Sequence, residues 1–109
     1  MNIFFFGGTF DPPHRGHKLI YKHCLEMCDK FIFIPALQSP NKKTPFVNHD
    51  LRINMLELLI DQNDKNKVLI DSFKIKSENK PSYTIDTINY LKNKFNKAKI
   101  HMVIGGDQY

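Results

Sequence analysis

Short apolar runs alternate along this chain with longer stretches in which apolar residues recur at helical spacing. The apolar runs predict four β-strands, at Ile3–Phe6, Phe31–Ile34, Val68–Ile70 and Ile100–Ile104. The helical spacing predicts three helices between them, at about Gly16–Cys28, His49–Ile60 and Thr84–Phe95. Apolar strands separated by helices are typical of a parallel sheet with helices on both faces. We therefore expect an α/β fold with right-handed crossovers.

Glycine-rich or polar segments directly follow three of the predicted strands. They are the turn at Gly7–Asp11, the loop at Pro35–Pro45 and the turn at Gly105–Asp107. Ligands of a parallel sheet bind at the carboxyl ends of its strands, so we expect these segments to meet at one edge and form a binding crevice. The segment Asp61–Lys67, in contrast, is expected to be an ordinary solvated connection.

Length and composition restrict the class of protein. The 109 residues suit a single domain, 1–109, and a hydrophobic content of 41% with nine Phe suits a packed core. No apolar stretch approaches the roughly 20 residues that a membrane span needs. No leader with a cleavage site precedes the first strand. We therefore expect a cytoplasmic protein without a membrane partner.

Charge and cysteine content add two expectations. The net charge of +5 is spread over Lys-rich and Asn-rich segments, which suits nucleotide substrates. Aromatic and basic residues do not alternate as in RNA-binding proteins, so no nucleic-acid partner is expected. Cys24 and Cys28 are expected to be reduced, partly buried thiols on one helix face. With His23 they would be an incomplete ligand set, so the sequence predicts no metal site built from protein ligands.

The N-terminal strand, its glycines and the following helix predict a phosphate site. A strand that leads through glycines into a helix places backbone N–H groups and the positive helix end together. His14 and His17 would project to the same side of the first helical turn, and Gly16 leaves space beside them. Phe10 is expected in the core, and Asp11 is expected to hold the loop through bonds to the backbone.

The sequence GGTFDPPHRGH at residues 7 to 17 resembles the signature of the HxGH nucleotidyltransferase superfamily, with His14, Gly16 and His17 as the HxGH element. Two further segments, Pro81–Thr87 and Ile104–Gln108, resemble elements of one branch, the nicotinate-nucleotide adenylyltransferase family. The resemblance implies a Rossmann-like fold. It also implies transfer of the AMP moiety of ATP to nicotinate mononucleotide, which gives deamido-NAD and pyrophosphate in NAD biosynthesis. Mg2+ would be carried on the ATP phosphates.

The resemblance also assigns roles to particular residues. His14 and His17 would stabilise the phosphoryl transition state as the catalytic pair. ATP and its phosphates would contact a larger set, comprising Gly8, Thr9, His14, Gly16, His17, Lys42, Gly105 and Asp107. The mononucleotide would contact Gly7, Gly8, Thr9, Tyr83 and Thr84, the last two at its base.

Three of these assignments have competing interpretations. Lys42 and Lys43 lie where the family carries a PPHK-like element, although Asn41 replaces its histidine and a lysine pair on a loop is often only solvated. Tyr83 and Thr84 could equally be a buried residue and a plain helix cap. Arg52 resembles the family's arginine before an MLEL run, and it could equally be a surface residue or a helix-packing group.

The chain ends where the resembling family continues with further sheet and a late phosphate-binding segment. We therefore expect a sheet truncated after about its fourth strand, with an edge that self-association could cover. Two alternative functions follow. One is a nucleotide-binding fragment without turnover, and the other is an adenylyltransferase for a different phosphorylated acceptor, such as phosphopantetheine.

Overall fold

The predicted parallel sheet is present. The computed structural model describes residues 1–36, 47–76 and 84–104. Its four strands are β1 (Asn2–Gly8), β2 (Lys30–Pro35), β3 (Val68–Ile70) and β4 (Lys99–Met102). They form one sheet in the order β3-β2-β1-β4, and each neighbouring pair is parallel. The α/β, Rossmann-like prediction is therefore confirmed.

In the described part of the chain, four α-helices accompany the sheet. They are α1 (Arg15–Cys24), α2 (His49–Leu59), α3 (Phe73–Lys76) and α4 (Thr84–Lys94). A 3-10 turn, Gln62–Asp64, follows α2, and neither it nor α3 was predicted from the apolar spacing. Within the described ranges, no helix is both long and apolar enough to cross a membrane.

Each face of the sheet has its own core. On one face, Tyr21 of α1 and Leu56 of α2 pack with Phe6, Phe31 and Phe33. On the other face, Leu91 of α4 packs with a second set from β1 and β2, comprising Ile3, Phe5, Ile32 and Ile34. Because successive strand residues face opposite sides, the uninterrupted apolar runs supply both cores at once.

The two glycines after the first apolar run belong to the strand rather than to a turn. Gly7 pairs with Ile34 and Gly8 with Pro35, and the Gly8 carbonyl accepts a 2.9 Å bond from the Ala36 amide. Neither glycine has a positive φ. The prediction of a turn beginning at Gly7 is therefore wrong, because pairing with β2 extends β1 by two residues.

The first helix is shorter than its apolar spacing predicts. It ends at Cys24, so Cys28 lies beyond the helix, although both thiols are buried and unoxidised. The chain must leave the helix to bring β2 into register, and Asp29 marks that point. Its carboxylate accepts a 2.6 Å bond from the Asn2 amide, and its own amide donates to the Asn2 carbonyl. Tertiary pairing thus overrides the local helical pattern.

The segment after α2 is more than a solvated connection. Asp61 accepts from Lys18 and Lys22, at 2.7 Å each, and Asp64 accepts from Lys22 at 2.6 Å. The buried Tyr21 hydroxyl donates to Asp64 and accepts from the Asp61 amide. The segment is solvated, as predicted, but it also bonds to partners on α1 that lie about 40 residues earlier in the chain, which no local pattern indicated.

Candidate phosphate-binding site

The two histidines form a reciprocal cap on the first turn of α1. His14 is the N-cap residue, and its Nδ1 accepts a 3.0 Å bond from the Gly16 amide. His17 Nδ1 accepts a 3.0 Å bond from the His14 amide. The two rings stack with their centroids 3.9 Å apart. This arrangement is a capping box in which imidazoles take the places of the usual Ser or Thr and Glu.

The cap fixes which ring nitrogens remain as donors. An imidazole nitrogen that accepts a hydrogen bond carries no proton, so a neutral ring whose Nδ1 accepts has its hydrogen on Nε2. His14 and His17 therefore both present an Nε2–H donor. The first turn of α1 contains no acidic residue that would neutralise the positive helix end. The two rings, one exposed and one half-buried, form a pair of donors suited to phosphate oxygens.

Gly16 is required by the position of the His14 ring. A Cβ placed on Gly16 would lie 2.8 Å from His14 Cε1 and 3.0 Å from His14 Nδ1. The first distance is well inside van der Waals contact, so any larger residue would displace the ring that caps the helix. Gly7 in β1 is different, because a Cβ there would meet only the Ile34 carbonyl, at 3.9 Å.

The Phe10 ring packs against the His17 ring on its core side. It is 4% exposed, which confirms its predicted place in the core. Its φ of 51° is rare for a bulky residue and is maintained by ring packing. The ring lies 5.3 Å from Phe6, 5.5 Å from Phe33 and 4.9 Å from His17, each in an edge-on arrangement. This contact sets the His17 ring on the aromatic core.

Arg52 is buried beneath the same turn. The side chain is 1% exposed, so the surface interpretation is wrong. Its Nη1 donates to the carbonyls of Thr9 and Ala36, at 2.5 and 2.6 Å, and its Nε donates to the Val47 carbonyl at 3.0 Å. Burial lowers the pKa of Arg52, and the Asp11 carboxylate partly opposes that shift. The resemblance to the family's arginine before an MLEL run singled out Arg52, but no sequence pattern revealed its three carbonyl acceptors.

Asp11 holds the other side of the same segment. Its Oδ1 accepts a 2.7 Å bond from the Val47 amide, so the side chain bonds to the backbone as predicted, but this partner lies 36 residues along the chain rather than within the same loop. Val47 is therefore bonded through its amide to Asp11 and through its carbonyl to Arg52. These two contacts attach the segment before α2 to the turn after β1.

Thr84 begins α4 and is exposed. Since α4 ends at Lys94, five residues before the parallel strand β4, its first turn lies toward the carboxyl edge of the sheet. Asp71 anchors this region, because it follows β3 and accepts 2.9 Å bonds from Tyr90 and Lys94 of α4. The sequence analysis did not single out Asp71, and its position directly after a strand was the only available signal.

The structure brings together six of the predicted site residues at the end of β1 and the start of α1, namely Gly7, Gly8, Thr9, His14, Gly16 and His17. Four others lie outside the described residues, namely Lys42, Tyr83, Gly105 and Asp107.

Known proteins have sequences similar to nearly the whole of this chain. The sequence model of the cytidylyltransferase-like family matches residues 5–109. A protein of Aliarcobacter butzleri named probable nicotinate-nucleotide adenylyltransferase is 37% identical, over 98% of this chain and 58% of its own length. The Bacillus subtilis protein named nicotinate-nucleotide adenylyltransferase is 35% identical, over 94% of this chain and 54% of its own length. This chain therefore spans little more than half the length of these relatives.

A solved structure has the same fold. It is described as Plasmodium falciparum nicotinic acid mononucleotide adenylyltransferase complexed with NaAD, and it matches with a TM-score of 0.81 at 20% identity. The match covers 97% of this chain and 52% of that chain. At this identity the likeness shows the fold alone, whereas the family's sequence model covers nearly all of the chain. On that match, the chain belongs to the cytidylyltransferase-like family.

Proposed function

We infer that this chain carries the phosphate-binding part of an adenylyltransferase that uses ATP and nicotinate mononucleotide. A phosphate oxygen of the mononucleotide would attack the α-phosphorus of ATP. The bond from that phosphorus to the oxygen bridging to the β-phosphate would break, and pyrophosphate would leave. The products would be deamido-NAD and pyrophosphate, in the NAD biosynthesis step. The observation that carries this proposal is the stacked pair of Nε2–H donors at the start of α1.

The paired imidazoles suit a reaction in which positioning and charge stabilisation supply the catalysis. In phosphoryl transfer, negative charge develops on the oxygens of the transferring group, and fixed donors stabilise it without reorganising. His14 and His17 are fixed by their caps, and His17 is also held by Phe10. In this proposal both donate to phosphate oxygens and neither acts as a nucleophile.

Other predicted contacts complete the proposal. Gly8, Thr9 and Gly16 would line the phosphates, and Lys42, Gly105 and Asp107 would make further contacts to ATP. Gly7, Gly8, Thr9, Tyr83 and Thr84 would contact the mononucleotide. The strand order favours this grouping, because the carboxyl ends of parallel strands meet at one edge.

Mg2+ would enter with the nucleotide rather than through a site built by the protein. Among the described residues, no three His, Cys, Asp or Glu side chains cluster closely enough to hold a metal ion. Nucleotide enzymes commonly bind Mg2+ through the substrate phosphates with few protein ligands. The nucleotide substrate would therefore be the magnesium complex of ATP, MgATP. Because both substrates are small soluble nucleotides, the cytoplasm remains the predicted location.

The names of the relatives favour nicotinate mononucleotide as the acceptor. The test is pyrophosphate release from MgATP by this chain with nicotinate mononucleotide, nicotinamide mononucleotide or phosphopantetheine offered separately. The proposal predicts release with the first acceptor and a loss of about 10²- to 10³-fold in His17→Ala, the usual effect of removing one transition-state donor. His23→Ala is the matched control, since it removes an exposed histidine from the same helix.

Each other outcome has a defined meaning. Release with phosphopantetheine alone would replace the acceptor. MgATP binding without release for any acceptor would favour a nucleotide-binding chain without turnover. Equal activity in wild type and His17→Ala would contradict the role of the paired imidazoles.

A further inference from the structure

The geometry points to Arg52 as a positioning residue for the histidine pair, acting through the Thr9 carbonyl and the Phe10 ring. The inference rests on the proposed function and adds a residue that contacts none of the reacting atoms. Arg52 lies in the first turns of α2, but its side chain extends beneath the turn that follows β1.

One guanidinium joins three separate parts of the chain. The Thr9 carbonyl follows β1, the Ala36 carbonyl follows β2, and the Val47 carbonyl precedes α2. Because β1 and β2 are the central strands, Arg52 fixes the relative positions of their carboxyl ends. The Asp11 bond to the Val47 amide closes the same cluster.

Stability alone is a poor reason for a charge at this position. The guanidinium is removed from water, its acceptors are backbone carbonyls, and burial lowers its pKa. The cost of removing a charge from water offsets much of the gain from its hydrogen bonds, so such a charge is better explained by the geometry that it specifies. Here that geometry is a planar fork that holds three carbonyls at once.

A chain of contacts leads from Arg52 to the histidines. Its bond to the Thr9 carbonyl fixes the peptide between Thr9 and Phe10, and Phe10 is in the rare positive-φ conformation. The Phe10 ring contacts the His17 ring at 4.9 Å, and the His17 ring stacks on His14 at 3.9 Å. Loss of the guanidinium would release the Thr9 carbonyl and allow both donor rings to move.

The experiment compares Arg52→Met and Arg52→Lys with the wild-type chain. Methionine fills much of the volume without a donor, and lysine keeps the charge but not the planar fork. Lys92→Met is the matched control, because it removes an exposed cation from α4. Two quantities are measured where thermal unfolding shows each variant folded: the imidazole NMR signals of unliganded His14 and His17, and the affinity for MgATP.

In Arg52→Met we expect the His17 signal to move and MgATP affinity to fall by about tenfold or more, since displaced binding groups lose affinity even when they are still present. Arg52→Lys should move the same signal by less, and Lys92→Met should match wild type in both measurements. If Arg52→Met does not fold, the Arg52→Lys result decides.

The inference is overturned if a folded Arg52 variant keeps wild-type His17 signals and wild-type MgATP affinity. A wild-type chain that does not bind MgATP would instead contradict the proposed function. In that case the unliganded His17 signals still test whether Arg52 positions the ring, so the two failures are distinguishable.

Discussion

Two polar clusters hold α1 in place, and they differ in almost every physical respect. At its start, buried Arg52 donates to three backbone carbonyls beneath the turn that leads into the helix. Along its flank, Lys18 and Lys22 pair with Asp61 and Asp64 at the surface, and these four residues form the flank network. In the first cluster the guanidinium donates to backbone carbonyls in the interior, and the second consists of ion pairs in contact with water.

The difference shows which contacts determine the site. Exposed ion pairs are screened by water and salt and contribute little to stability. A buried donor that loses its carbonyl partners is left unsatisfied in the interior, and so are buried carbonyls that lose their donor. We therefore expect the geometry of the histidine pair to depend on the buried cluster and on Phe10, whereas the flank network adjusts stability slightly.

Removal of the Phe10 ring should have the largest effect on stability. The ring fills the space between Phe6, Phe33 and His17, so Phe10→Ala leaves a cavity in the core. We expect the free energy of unfolding to fall by about 3 kcal/mol or more. Urea denaturation measures this loss, and Phe95→Ala, a partly buried ring on the opposite sheet face, is the comparison. A smaller loss for Phe10→Ala than for Phe95→Ala would contradict the account.

Arg52→Met should follow, with a loss of about 2 kcal/mol. The three carbonyls lose their donor, and the avoided cost of burying a charge offsets part of the penalty. The chain's other arginine, Arg15, is exposed, so Arg15→Met should change the free energy of unfolding by much less. Equal losses in the free energy of unfolding for the two substitutions, measured by urea denaturation, would show that the buried contacts of Arg52 do not stabilise the fold.

Gly16→Ala should cost less stability but alter the site. The new Cβ would lie 2.8 Å from His14 Cε1, so the ring must rotate away and its bond to the Gly16 amide is lost. Loss of an N-cap bond costs about 1 kcal/mol. The imidazole NMR signal of His14 should move well beyond that of the more distant His101. An unchanged His14 signal would show that the added Cβ does not displace the His14 ring.

The flank network should show its effect mainly as a dependence on pH. Bonds from Lys18 and then Lys22 lower the folded-state pKa of Asp61 to about 2, whereas an unfolded Asp has a pKa of about 3.9. The associated stability is therefore present above about pH 4 and is lost as the pH falls toward 2.

Urea denaturation between pH 2 and 5 checks this expectation, with Asp61→Asn showing a shallower acid slope than wild type. Glu57→Gln, at an exposed carboxylate on α2, is the control and should keep the wild-type slope. Identical slopes for wild type and Asp61→Asn would show that Asp61 does not contribute to the loss of stability in acid.

The sequence predicts the centre of the sheet well because β1 and β2 are almost entirely apolar, and because α1, α2 and α4 have apolar residues at helical spacing. It also predicts the place of Phe10, the bond from Asp11 to the backbone, and the close approach of His14 and His17. The approach of His14 and His17 depends on neighbours within a few positions, whereas Phe10 and Asp11 also contact Phe33 and Val47, much farther along the chain.

The features that sequence reasoning missed depend on distant partners. The acceptors of Arg52 lie up to 43 residues away, and the Asp61 network joins residues about 40 apart. The extension of β1 through Gly8 depends on pairing with β2, and the early end of α1 depends on the register set at Asp29. Local patterns cannot show such partners before the fold is known.

The most direct test of the central claim is an NMR titration of the ¹⁵N-labelled histidines with MgATP. The chain has five histidines, and the account assigns two of them, His14 and His17, as Nε2–H donors to phosphate. Both rings are expected to carry a hydrogen on Nε2 and to accept at Nδ1 in the free protein, and their Nε2 signals should shift together on titration. The other three, His23, His49 and His101, should keep their signals. Shifts confined to those three, or Nδ1–H tautomers at His14 and His17, would contradict the account.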